Sequence, residues 1–230
     1  MTFENIQKDI SIMGHLLRSS YSNNDSLYAD IILLLFAGYD TTGYTLAWTI
    51  LEVSKHTKVL QRIQVEIDTM FPDRKIPIEN KDLYKLEYLL CVIRESMRLH
   101  PVVSTTSYRV PCKDIIIDNI IFPENSVVNI CSYAIHRLDI DNGEEFQPER
   151  WLKGSAQYQL LNENNLSFSL GTRNCIGQNL AMLELKVVLA TVFRFFEFER
   201  VDPSAPMSFT AFGSAKPDFP LVCVRERNFL

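Results

Sequence analysis

Apolar side chains return at three- and four-residue spacing over residues 27–55, at Leu27, Ile31, Leu34, Leu35, Leu46, Ile50 and Val53, which predicts one long helix. A shorter amphipathic stretch from Val59 to Met70 predicts a second helix that stops before Pro72. Residues 81–99 predict a third, ended at His100-Pro101 because a proline ring disfavours helical backbone at the residue before it. The period then changes. Asp114 to Ile117, a polar Asp118-Asn119 turn, Ile120 to Phe122 and Ser126 to Ile130 predict a small antiparallel sheet of hairpins within residues 114–131. Residues 138–165 are polar and irregular, with 141-DNGEE-145 and 161-LNENN-165 expected as loops. A last long helix is expected over 177–196, then a Pro-rich tail with a strand from Leu221 to Val224. The order describes a mainly α chain with a small antiparallel β part.

The middle of the first helix breaks its own pattern. Ala37-Gly38-Tyr39-Asp40-Thr41-Thr42-Gly43 puts two glycines, an acid and two hydroxyls into an otherwise apolar stretch. Each glycine there costs roughly 1 kcal/mol against alanine. Local rules broken inside an element often mark function.

Composition narrows the function classes. The 230 residues are 47% hydrophobic and carry 23 Lys+Arg against 28 Asp+Glu, a formal charge of −5. A mildly acidic chain with scattered basic residues has no electrostatic footprint for nucleic acid. The longest apolar run, Ile31 to Gly38, lies between Asp30 and Asp40 and falls far short of the ~20 residues that span a bilayer. Residues after Met1 lack the basic and apolar regions of a secretory signal, so the expectation is a cytosolic chain or one whose targeting segment lies outside it. Five cysteines without a C-x-x-C argue against a disulfide framework or zinc cluster. Cys91, Cys112, Cys131 and Cys223 are expected as small buried hydrophobes.

Cys175 has a different neighbourhood. In 168-FSLGTRNCIG-177 an irregular loop enters a helix, so the sulfur can face the positive end of the helix dipole, which favours a thiolate. Gly171 permits a tight turn, Gly177 removes a side chain where something flat or bulky can approach, and Arg173 supplies a cation. Three readings remain open on these residues alone: a metal-ligating thiolate, a nucleophile and a structural cysteine. A nucleophile needs a base, and His15, His56, His100 and His136 all lie far away in sequence.

The segment resembles, position for position, the haem-binding signature of the cytochrome P450 family, F-x-x-G-x-R-x-C-x-G. Further segments follow in the family's order: 37-AGYDTT-42 resembles its central-helix motif, 95-ESMR-98 its E-x-x-R motif and 148-PERW-151 its P-E-R segment. The resemblance covers nearly the whole chain. It implies that residues 1–230 are the C-terminal portion of a single P450 domain, a P450 fold incomplete at the N-terminus. A central helix that the full fold buries on all sides would then show apolar faces to water. One departure is local: where the family often runs from His-Arg into Asp-Pro, this chain has His136-Arg137-Leu138-Asp139.

The resemblance also assigns roles. Cys175 would be the axial thiolate ligand of the iron of haem b, iron protoporphyrin IX. Arg173 and Arg109 would pair with haem propionates, Phe168 would pack beside the haem, and Gly171 and Gly177 would shape the loop. Asp40 and Thr41 would deliver protons to dioxygen. Glu95 and Arg98, three apart on one helix face, would form with Arg150 a buried network that holds the cysteine loop. Val102, Val103, Ser104, Thr105 and Thr106, with the turn at Phe212-Gly213, fall where the family lines its substrate pocket. The implied activity is a haem-thiolate monooxygenase that inserts one atom of O2 into a small organic, mainly apolar substrate. Electrons would come from an NADPH-dependent P450 reductase or similar donor, at the cytosolic face of the endoplasmic reticulum membrane. Two other readings stay open: a non-catalytic haem-binding fragment, and a P450-fold isomerase or dehydratase that uses no O2, against which the intact Asp40-Thr41 pair argues.

Overall fold

The computed structural model describes residues 9–105, 108–212, 214–218 and 221–227, with backbone alone at Ala211 and Phe212. Two compact units divide the chain, Met1–Thr41 and Thr42–Leu230. In the first, helix α1 (Ile12–Arg18) is capped by Ser11, whose side chain accepts from the Gly14 N–H at 3.1 Å. Helix α2 (Asn24–Lys55) starts three residues before its apolar period, because the Asn23 side-chain oxygen accepts the Ser26 N–H at 2.9 Å. α2 stays helical through Gly38 and Gly43, and a Cβ built at either would meet nothing within 4 Å. Ile32, Leu33, Leu35, Phe36 and Tyr39 of this helix are exposed, Tyr39 by 81%.

The second unit holds the main core. Helix α3 (Thr57–Met70) and the late helix Gln178–Phe195 bury one stripe each, whereas α4 (Glu87–Leu99) is buried on nearly every side. Ile63 and Ile67, Leu89, Val92 and Ile93, and Leu185, Leu189 and Phe193 follow helical spacing and are essentially inaccessible. Full burial of each such side chain is worth about 1.5–3 kcal/mol. The helix expected over 81–99 is two pieces: a 3-10 turn at Asn80–Lys85, then α4. Leu86 breaks it, with ψ of 74° and no exposure. The cap of α4 comes from another helix: the Glu66 carboxylate on α3 accepts the N–H groups of Tyr88 at 2.6 Å and Leu89 at 2.9 Å.

The predicted sheet over 114–131 is smaller than its pattern. Only β1 (Ile115–Ile117) and β2 (Ile120–Phe122) pair, antiparallel, with Ile116 opposite Ile121. The stretch Ser126 to Ile130 contributes a single bridge, Val128 to Arg109, because its partner lies upstream of the hairpin. Residues 138–165 are less irregular than expected. A short helix α5 (Ser132–Ile135) precedes them, and they contain a 3-10 turn at Pro148–Trp151 and helix α6 (Tyr158–Glu163), which takes in the start of the predicted 161–165 loop.

The late helix, α7 (Gln178–Phe195), runs straight into β3 (Phe196–Arg200), where burial alternates and Phe198 and Arg200 face inward. β3 pairs antiparallel with β6 (Val222–Glu226), and β4 (Phe209–Phe212) with β5 (Ser214–Pro217). Of the four cysteines expected inside, Cys91 is buried and Cys223 intermediate, whereas Cys112 and Cys131 are exposed. These last two stand in loop and helix-cap positions, where a small apolar side chain finds no layer to enter.

Candidate active site

The loop from Phe168 to Gly177 turns on two left-handed residues, Ser169 (φ 58°) and Gly171 (φ 78°). It then makes a 3-10 turn at Gly171–Arg173, and the Cys175 N–H closes it on the Phe168 carbonyl at 2.9 Å. Gly177 is the N-cap of α7, so the thiol stands at the positive end of an 18-residue helix. Cys175 is exposed, and its sulfur has no hydrogen-bond partner among the described residues. A Cβ placed on Gly177 would stand 3.9 Å from that sulfur, ordinary contact, so no contact among the described residues demands a glycine here.

Arg173 is exposed and meets no carboxylate among the described residues. Leu170, Ile176 and Leu180 beside it are also exposed, Ile176 by 93%. A bare thiol, a guanidinium without a carboxylate and an apolar rim suit an apolar group that carries its own acids. No group of three or more His, Cys, Asp or Glu that could hold a metal ion exists among the described residues. A metal bound by Cys175 alone must therefore bring its other ligands with it, as a porphyrin does. The residues present fit the haem that the resemblance implies.

Among the described residues no histidine hydrogen-bonds to the Cys175 sulfur. His56 and His100 both sit on the buried Glu52, at 3.6 Å and 2.6 Å. His136 is buried, with its Nε2 accepting the Leu166 N–H, and His15 is engaged with Arg18 in the first unit.

Glu95 is fully buried and Arg98 and Arg150 nearly so. Arg98 donates to both Glu95 oxygens at 2.8 Å, and Arg150 Nε lies 3.0 Å from Oε1. The Gln147 N–H and the Trp151 indole N–H complete the carboxylate, at 2.9 Å and 2.8 Å. Arg98 also gathers the carbonyls of His136, Gly143 and Glu145, at 2.9, 2.7 and 3.1 Å. The three expected partners thus meet. Burial lowers the pKa of Arg150, with the Glu95 charge opposing that shift. Gln147, Trp151 and His136 were not foreseen; a tryptophan directly after P-E-R, whose indole N–H needs a partner once buried, was the available signal.

The other expected residues scatter. Thr41 donates back to the Ala37 carbonyl at 2.6 Å, and both it and Asp40 are partly exposed within the first unit. Phe168 packs on the main core, which serves as its local anchor. Arg109 is half-buried; its backbone bridges Val128 and its guanidinium reaches the Tyr108 carbonyl at 3.2 Å. Val102 points into a small cluster with Trp48 and Leu51, and Val103 is exposed. Ser104 lines a shallow pocket with Trp48, His100, Tyr133 and Phe209. Thr105 is exposed, Thr106 and Gly213 lie outside the described residues, and of Phe212 only the backbone, in β4, is described.

The family model for Cytochrome P450 matches residues 6–221. The chain is 33% identical to Cytochrome P450 3A12 of Canis lupus familiaris over 85% of its own length and 39% of that protein. It is also 33% identical to human 25-hydroxyvitamin D-1 alpha hydroxylase, mitochondrial, over 96% of this chain and 43% of that one. Against Putative cytochrome P450 CYP13A6 of Caenorhabditis elegans the identity is 31%, over 76% of the chain and 34% of the relative. The chain thus spans well under half the length of the relatives it matches. Signature loop, buried carboxylate network and sequence similarity converge, and the chain belongs to the cytochrome P450 family.

Proposed function

We propose that this chain supplies the thiolate side of a haem monooxygenase, which inserts one atom of O2 into an organic, mainly apolar substrate with electrons from a reductase. The observation that carries the reading is the exposed Cys175 thiol at the start of α7, two residues from Arg173. Cys175 would hold haem b through its iron, and Arg173 and Arg109 would hold the propionates by charge-assisted bonds. Bound there, haem with a thiolate ligand supplies the electron density that favours O–O cleavage. Asp40 and Thr41 hold and move a proton at their side-chain oxygens. Val103 and Ser104 contribute part of the substrate wall. The network of Glu95, Arg98 and Arg150 does no chemistry; it keeps the cysteine loop in one geometry.

The reading includes attachment at the cytosolic face of the endoplasmic reticulum. Among the described residues no helix is long and apolar enough to cross a membrane. The human vitamin D hydroxylase carries "mitochondrial" in its name, so cell fractionation distinguishes the two compartments.

The test is the absorption spectrum of the haem-reconstituted chain, reduced and exposed to CO. A thiolate-type band is expected, and Cys175→Ala should abolish it. An unchanged band in Cys175→Ala overturns the assignment. In a form that turns over substrate, Thr41→Ala should raise hydrogen peroxide release per product formed; equal coupling removes Thr41 from proton delivery.

A further inference from the structure

We infer that His136 is a positioning residue for the thiolate loop, tying the Glu95–Arg98 pair to the backbone that leads into Cys175. The inference rests on the haem-thiolate reading for its consequence, though its geometry stands alone. His136 closes helix α5 and is 3% exposed. Its carbonyl accepts from Arg98 at 2.9 Å, and its ring Nε2 accepts the Leu166 N–H at 2.9 Å. Leu166 lies two residues before Phe168, whose carbonyl closes the loop on the Cys175 N–H. One residue therefore grips the buried ion pair through its backbone and the loop entrance through its ring.

The chemistry of the ring supports this. A backbone N–H only donates, so Nε2 carries no proton and the ring proton is assigned to Nδ1. Nδ1 is buried without a hydrogen-bond partner among the described residues. Such a donor is costly to bury, and an apolar side chain would fill the site without that cost. What the imidazole adds is the acceptor for Leu166. Burial first, and then the cationic Arg98 from α4 and Arg137 beside it, keep the ring neutral, its pKa lowered to about 4.

Three measurements test the inference. In the ¹⁵N-histidine-labelled chain near pH 7, the His136 shifts should report a protonated Nδ1 and a bare Nε2; the opposite tautomer overturns it. Hydrogen exchange at the Leu166 amide should speed up about tenfold in His136→Leu, the factor of one lost hydrogen bond. His136→Gln, which keeps an acceptor oxygen, should restore part of the protection. Exchange within α4 and α7 should stay as in the wild type; equal acceleration there overturns a positioning role in favour of general loosening. With haem bound and reduced under CO, the thiolate-type band should decay faster in His136→Leu than in the wild type or His136→Gln. If Cys175→Ala keeps the band, the haem-thiolate reading fails while the exchange result stands. If Cys175→Ala loses the band but Leu166 exchanges normally in His136→Leu, this inference alone fails.

Discussion

Replacing Glu95 by alanine is the most severe single test of the architecture. The carboxylate is fully buried and takes two bonds from Arg98, one each from Gln147 and Trp151, and a 3.0 Å contact from Arg150. Removing one partner of a buried pair typically costs 3–5 kcal/mol, because the other charge is left without compensation. Here two guanidinium groups lose their anion. The loss does not double, since Arg98 keeps the carbonyls of His136, Gly143 and Glu145, and Arg150 keeps those of Gln147, Asp141 and Asn142. A destabilisation of about 4–5 kcal/mol is expected, a large share of the 5–15 kcal/mol that holds a typical domain. Urea unfolding followed by tryptophan fluorescence reads it directly, because Trp151 belongs to the network. Glu95→Leu combined with Arg98→Met and Arg150→Met should regain at least half of the loss, since no buried charge remains. A loss under about 1 kcal/mol for Glu95→Ala at unchanged urea slope would place the pair among ordinary surface ion pairs and refute the reasoning.

Acid should weaken the fold through His136. Its folded pKa of about 4 lies below the ordinary 6.5, so the unfolded chain takes the proton first. The contribution is whole above pH 6.5, declines as pH falls from 6.5 toward 4, and amounts to about 3 kcal/mol at most. The difference in urea midpoint between pH 7 and 4.5 should shrink in His136→Gln; an identical difference rejects the assignment. Gly171→Ala should cost about 1–2 kcal/mol from its φ of 78° alone, because nothing lies within 4 Å of the added Cβ. Gly154→Ala, with φ of 95° and equal space, is the matched control. Both should lower stability alike, and only Gly171→Ala should also shift the CO spectrum; a spectrum shifted by both would deny the loop its special role.

The long periodic stretches were readable from the sequence because a helix that buries one stripe must repeat at helical spacing. The break at Leu86 was not, since Leu86 is itself apolar and in phase, and the cap that starts α4 comes from Glu66 on another helix. Strand β3 was hidden for a related reason: Phe196 and Phe198 continue the apolar content of α7, and only pairing with β6 makes them extended. The signature loop was legible in residue identity, and the i, i+3 spacing of Glu95 and Arg98 in geometry. Their burial came from the family resemblance and not from the spacing. It depends on carbonyls of residues 136, 143 and 145, brought in by irregular chain with no local pattern.

A contrast among the arginines carries the functional argument one step further. Arg98 and Arg150 are each at most 5% exposed and spend their donors on carbonyls or a carboxylate of the chain, whereas the equally buried Arg194 commits its two terminal nitrogens to carbonyls and leaves Nε without a partner among the described residues. Such burial is tolerable only where the partners are built in. Arg173 is treated in the opposite way. It sits between a glycine at positive φ and the start of helix α7, and no carboxylate meets it among the described residues. The neighbouring thiol is likewise exposed, with apolar Ile176 open beside it. The loop is held by the Phe168 side chain on the main core and by the Cys175 N–H on the Phe168 carbonyl, and neither engages Arg173 or the thiol. A group from outside the chain that offers acids to Arg173, an apolar face to Ile176 and a metal to Cys175 would engage all three, and the haem of the proposed function is such a group.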